Sequence, residues 1–163
     1  MLILGIDPGS RVTGYGFLSA NNSWQVSYIA SGCIKLSGEF SDRMIQLYDA
    51  LTALMQTYPA DHCAIESVFM HKNPNSALKL GHARGVCMLS LTQNIAAPVE
   101  YAPRLIKQVI VGRGQATKSQ VQFMVQRLLG LQQAPAEDAA DALAVAWCHM
   151  QHLKRHQDSR HSL

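Results

Sequence analysis

Four acidic residues carry the chemistry available to this chain: Asp7, Glu66, Asp138 and Asp141. Asp7 closes the apolar run Leu2-Ile3-Leu4-Gly5-Ile6, and Glu66 closes a second run, Cys63-Ala64-Ile65. Asp138 and Asp141 open an alanine-rich segment. Carboxylates at the ends of core elements are costly unless a cation gathers them. Mg²⁺ suits such a set, being a hard ion that takes oxygen ligands and keeps several waters. A pair of carboxylate-held metal ions is a common device for hydrolysing phosphodiesters. Each acid also has an ordinary structural explanation. An Asp after a strand can cap a turn, and acids favour helix starts whatever their function. Glu137 is read as doing only the latter. Asp138 and Asp141 are three apart, so they share a helix face, and both are expected in the first turn.

These acids must be placed by strands and helices. Leu2–Asp7 reads as a buried strand, Arg11–Ser19 as a second after a Pro8-Gly9-Ser10 turn, and Trp24–Leu36 as a third after a turn at Asn21-Asn22-Ser23. Ser41 is positioned to cap a helix over Arg43–Tyr58, with Met44, Leu47, Leu51, Leu54 and Met55 on one face and Pro59 ending it. Cys63–Glu66 is a short buried strand. Asn75 or Ser76 opens a helix to about Asn94, and Val99–Tyr101 is a brief strand. Pro103 starts a short helix to Val111, Thr117 caps one to Leu129, and Pro135–Glu137 leads into a last helix to about His152. The polar residues 154–163 are expected to form a flexible tail after a single domain over 1–153. Three consecutive strands followed by helices and two short strands imply an α/β fold. Its five-stranded mixed sheet joins an antiparallel meander to parallel strands, with helices on its faces.

Composition narrows the classes. Of 163 residues, 48% are hydrophobic and 15% charged, which excludes a disordered chain. No apolar run approaches the ~20 residues that span a bilayer, and the first residues lack a basic region. A soluble, cytoplasmic protein with no membrane partner is therefore expected. The cysteines Cys33, Cys63, Cys87 and Cys148 lie singly, which argues for reduced thiols rather than zinc or disulfides. Net charge is +3, but between His71 and Arg127 eight basic residues face the single acid Glu100. A basic surface beside an acidic pocket suits a phosphate backbone. The segment Gly112–Ser119 nearly matches a phosphate-binding P-loop, but Thr117 stands where that motif needs Gly, so nucleotide binding is rejected there. His149, His152 and Cys148 are expected at the end of a helix and are read as packing or as charge at the helix C-terminus rather than as a metal site.

Five segments in order carry a resemblance. Gly5-Ile-Asp-Pro-Gly-Ser-Arg-Val-Thr-Gly-Tyr-Gly16 and Ala64-Ile-Glu-Ser-Val-Phe-Met-His-Lys-Asn73 resemble the first two motifs of the RuvC family of Holliday-junction resolvases. Ser76-Ala-Leu-Lys-Leu-Gly-His-Ala-Arg-Gly-Val86, Val109-Ile-Val-Gly-Arg-Gly-Gln-Ala-Thr-Lys-Ser-Gln-Val121 and Asp138-Ala-Ala-Asp-Ala-Leu-Ala144 resemble the rest. The likeness runs from Met1 to about His149. It implies a ribonuclease H-like fold, a homodimer, and metal-dependent nicking of two strands at a four-way DNA junction, beside the branch-migration proteins RuvA and RuvB. It also implies two Mg²⁺ ions per subunit, with Mn²⁺ as a substitute. Asp7 would bridge both, Glu66 would hold one, and Asp138 with Asp141 would complete the other. The resemblance places functional lysines at Lys107 and Lys118, and at Phe69 an aromatic that stacks on bases of the opened crossover. Lys72, Asn73, Asn75, Lys79, Arg84 and Arg113 are further expected contacts to DNA. The small residues Ala77, Gly81 and Gly85, four apart, would lie in the dimer interface.

Three rivals compete with this reading. A sugar-kinase or actin-like ATPase also uses a strand ending in Asp-x-Gly, but needs two such domains. A non-catalytic junction-binding module would not need four carboxylates. Another ribonuclease H-like nuclease, acting on RNA–DNA hybrids or transposon ends, would share them.

Overall fold

The computed structural model describes residues 1–67 and 73–160. Its elements are β1 (Leu2–Asp7), β2 (Val12–Ala20), β3 (Val26–Lys35), α1 (Phe40–Thr57), β4 (His62–Glu66), α2 (Pro74–Asn94), β5 (Val99–Tyr101), α3 (Pro103–Val111), α4 (Lys118–Leu128) and α5 (Glu137–Arg160). The sheet runs β3-β2-β1-β4-β5. β1, β2 and β3 pair antiparallel, while β4 and β5 join parallel to β1. This is the mixed sheet and helix order expected from the sequence.

Side chains alternate across the strands, so the sheet builds a core on each face. On one face Leu4, Ile6, Phe17 and Ile65 pack with Leu47, Leu51 and Leu91 from α1 and α2. On the other, Ile3, Leu18 and Ala64 pack with Leu143, Val145 and Cys148 of α5 and with residues of α3 and α4. α5 lies directly over β1 and β2. Its run of alanines permits that approach, and glycines on the strands complete it. A Cβ on Gly5 would stand 2.2 Å from the Ala142 carbonyl oxygen, and one on Gly14 would stand 1.9 Å from that of Asp138.

Several element ends differ from expectation. α1 begins at Phe40 with Glu39 at the N-cap position, so Ser41 falls inside the first turn and caps nothing. α2 begins at Pro74. The Asn73 side chain accepts hydrogen bonds from the backbone N–H groups of Asn75 and Ser76, at 3.0 and 3.4 Å. β3 starts at Val26 rather than Trp24, because Trp24 takes a positive φ of 58° as the turn closes. That turn is held by Asn21, whose side-chain oxygen accepts from the Ser23 and Gln25 N–H groups. Thr117 does cap α4, in a reciprocal capping box with Gln120. α5 continues to Arg160, through much of the segment expected to be a tail. Among the described residues no helix is long and apolar enough to cross a membrane.

Candidate active site

Sheet register brings the acids together. Ile6 pairs with Ile65 across β1 and β4, which sets Glu66 beside Asp7 at the same end of the sheet. Both point to the α5 face, since they alternate with Ile6 and Ile65 on the opposite one. Asp7 pairs on its other side with Gly14, and the start of α5 rests on Gly14 through Asp138. Asp138 is in the first turn of α5; Asp141 is the fifth residue of that helix, just past the first turn in which it was expected.

The electrostatics follow from this crowding. Burial, reinforced by the charges of Glu66, Asp141 and Asp138, raises the Asp7 pKa to about 8, with Lys118 opposing. Burial and then Asp141 raise Glu66 to about 7, against Lys107 and Lys118. Asp141 is also raised, chiefly by burial; Lys118 is the strongest opposing influence. Among the described residues, no three His, Cys, Asp or Glu side chains stand at the spacing of a metal ion's ligands. The four acids thus share an electrostatic neighbourhood without closing on one point. Their donor chemistry, carboxylate oxygen only, fits Mg²⁺ or Mn²⁺.

Lys118 does not stand free beside the acids. Its ammonium donates to Glu137 at 2.5 Å and lies 3.7 Å from Asp141. The bond to Glu137 is the main reason its pKa is raised. Glu137, read from sequence as a helix-start acid alone, therefore also holds the lysine. The pair is 19 residues apart, a separation that gives no local signal.

The turn after Asp7 is fixed from two sides. The Thr13 hydroxyl accepts from the Gly9 N–H at 3.1 Å and donates to the Gly9 carbonyl at 2.9 Å. Arg43 of α1, only 6% exposed, donates to the Ser10 carbonyl at 2.5 Å and lies over the Phe40 ring. Sequence reasoning missed Arg43. The signal was available, since Arg43 stands four residues before Leu47 on the stripe continued by Leu51 and Met55. A charge on an apolar stripe must find a buried acceptor.

The expected DNA contacts are dispersed. Lys107 is close enough to Glu66 and Asp141 to lower the proton affinity of both. Arg113, Lys79 and Asn75 are exposed. Asn73 is occupied as the cap of α2. Arg84 is ion-paired with Glu100 of β5 rather than free. Phe69 and Lys72 lie outside the described residues. His149 is buried, with Nδ1 2.9 Å from the Tyr101 hydroxyl, and His152 Nδ1 lies 2.9 Å from the Cys148 carbonyl. Both histidines pack against neighbouring groups, as expected, but within α5 rather than at its end, because the helix runs on to Arg160.

Comparison with known proteins gives the family of this chain and its fold. The family model described as crossover junction endodeoxyribonuclease RuvC matches residues 3–149. A protein of that name from Legionella pneumophila (strain Corby) is 54% identical over 150 residues, covering 91% of this chain and 86% of its own. One from Francisella philomiragia is 51% identical, over 91% and 87% of the two chains. The structure of T. thermophilus RuvC in complex with Holliday junction substrate superposes with a TM-score of 0.86 at 28% identity, over 95% and 96% of the chains. The yeast mitochondrial Holliday junction resolvase Ydc2, 16% identical with a TM-score of 0.61 over 94% and 82%, shares the fold. The chain belongs to the crossover junction endodeoxyribonuclease RuvC family.

Proposed function

We propose that this protein resolves four-way DNA junctions by paired symmetric nicks, leaving 5′-phosphate and 3′-hydroxyl ends, in recombination and repair. The observation that carries the reading is the gathering of Asp7, Glu66, Asp138 and Asp141 at one end of the sheet, where burial first and neighbouring acids next raise the proton affinities of Asp7, Glu66 and Asp141. These four residues would hold two Mg²⁺ ions, or Mn²⁺ in their place. Bound there, the ions supply activation of the attacking water and stabilisation of the leaving 3′ oxygen.

The protein's own groups do the rest. Asp7, on the central strand with the other acids around it, would hold metal together with Glu66, Asp138 and Asp141. Lys118 offsets negative charge at the reacting phosphate and partly opposes the raised proton affinity of Asp7 and Glu66. Lys107, Arg113, Lys79 and Asn75 fix the DNA backbone, and Lys72 is a further proposed DNA contact. Phe69 stacks on a base of the opened crossover.

A homodimer would place two such sites for two symmetric cuts. The exposed face of α2 supports it as the interface. A Cβ on Gly81 or Gly85 would meet open space, and Leu78 and Leu89 are 61% and 53% exposed. RuvA and RuvB are the proposed partners in branch migration. The test is incubation of the protein with Mg²⁺ and a labelled four-way junction, beside linear duplex and RNA–DNA hybrid. Symmetric nicks confined to the junction are expected; equal cutting of the hybrid would make it a different nuclease.

A further inference from the structure

The transverse row that carries Asp7 continues away from Glu66. Asp7 pairs with Gly14 and Gly14 with Cys33, so Cys33 lies on the same face two strand spacings away, about 10 Å. The start of α5 sits over Gly14, between the two. On the Cys33 side of that helix start, β3 and the loop before α5 flank an open surface cleft of about 640 Å³. Binding clefts for small groups commonly have this size.

The chemistry of the walls is specific. β3 contributes Tyr28, Ser31, Cys33 and Lys35, and the loop contributes Gln132 and Gln133. The Tyr28 and Ser31 hydroxyls stand 3.2 Å apart. Among the described residues no acidic side chain lines the cleft, although Ala139 in its wall directly follows Asp138. One ammonium, two hydroxyls and two carboxamides can serve a phosphate together with the edge of a base. A DNA strand laid over Asp7 and continuing past α5 would reach this cleft. At a rise of roughly 3.4 Å per nucleotide, about 10 Å corresponds to two or three nucleotides.

We propose that the cleft between β3 and the 131–136 loop binds one nucleotide of the junction strand, two or three positions from the phosphate that is cut, and so biases which sequences are cut. Lys35 contacts its phosphate, and Gln132 and Gln133 read its base. This rests on the nuclease reading above, and the test separates the two.

Cys33 is a built-in reporter. It is partly exposed in the cleft, whereas Cys63, Cys87 and Cys148 are buried. Burial and the charge of Asp138 push its thiol up, so alkylation with iodoacetamide belongs at alkaline pH. Asp7→Asn protein would be alkylated with and without an intact junction at about 100 times its Kd. Only the free fraction then reacts, so the junction should slow Cys33 modification roughly a hundredfold. In parallel, the variant Lys35→Ala/Gln132→Ala/Gln133→Ala would be compared with wild type on junctions carrying each base at those positions. Wild type should discriminate on the order of fivefold or more between bases, and the variant should not. Unchanged Cys33 reactivity would overturn the proposal. So would protection of Cys33 with an unaltered base profile in the variant. A wild type that binds but never nicks would sink the nuclease reading alone, because the Cys33 protection is read without cleavage.

Discussion

At the scale of single residues, Lys118 is the cation that most directly serves the acids. It lies 3.7 Å from Asp141 and opposes the raised proton affinity of Asp7, Glu66 and Asp141. Its removal therefore has two consequences. Lys118→Ala should slow cleavage of bound junction at least about tenfold, or about 1.4 kcal/mol of transition-state stabilisation. The acid limb of the pH–rate profile should also move to higher pH, because carboxylates without the lysine hold their protons more strongly. Single-turnover rates across pH check both. An unchanged rate with an unchanged limb would remove Lys118 from the site and leave it a surface partner of Glu137.

At the scale of elements, the site depends on how closely α5 meets β1 and β2. Gly14 marks the nearest approach, where a Cβ would sit 1.9 Å from the Asp138 carbonyl oxygen. Gly14→Ala must push the start of α5 away from the sheet. Overpacking of this kind costs typically about 1–3 kcal/mol. The variant should melt lower than wild type, and it should cut bound junction far more slowly, because Asp138 and Asp141 move with the helix. A full cleavage rate in a destabilised variant would show that the acids tolerate the shift. Much of this arrangement is legible in the sequence. Leu2–Asp7 and Cys63–Glu66 announce themselves as short apolar runs ending in acids, and Thr117 announces a helix start. What was not legible depends on distant pairing. The Lys118–Glu137 bond joins two elements, and the Arg43 bond to the β1–β2 turn crosses 33 residues. The extension of α5 to Arg160 was hidden because residues after Lys154 carry no apolar stripe. Phe69, singled out from its motif, lies outside the described residues.

At the scale of the whole molecule, the cluster trades stability for chemistry. In the fold Asp7 titrates near 8 and Glu66 near 7, against ordinary values of 3.8 and 4.5. Between those limits the folded state binds protons that the unfolded state does not, so stability falls as pH rises. Buried His149 acts in the opposite sense. Its pKa is lowered from 6.5 to about 4, so its contribution is lost as pH falls through that range. Above pH 6.5 His149 no longer offsets the carboxylates. In EDTA, the melting temperature of wild type should therefore drop between pH 6.5 and 8. Asp141→Asn should melt higher than wild type at the upper end and show a shallower drop, since one source of repulsion is gone. Adding Mg²⁺ should stabilise wild type more than the variant. A variant that melts lower in EDTA would make Asp141 a structural residue first, and equal Mg²⁺ shifts would leave it outside the metal site. The central claim is that Asp7 serves the chemistry while the basic surface serves affinity. One paired measurement tests it most directly: junction binding by gel shift and nicking in Mg²⁺, both with Asp7→Asn. The account predicts binding close to that of wild type with no detectable nicks; nicking at a near-normal rate, or loss of binding, would contradict it.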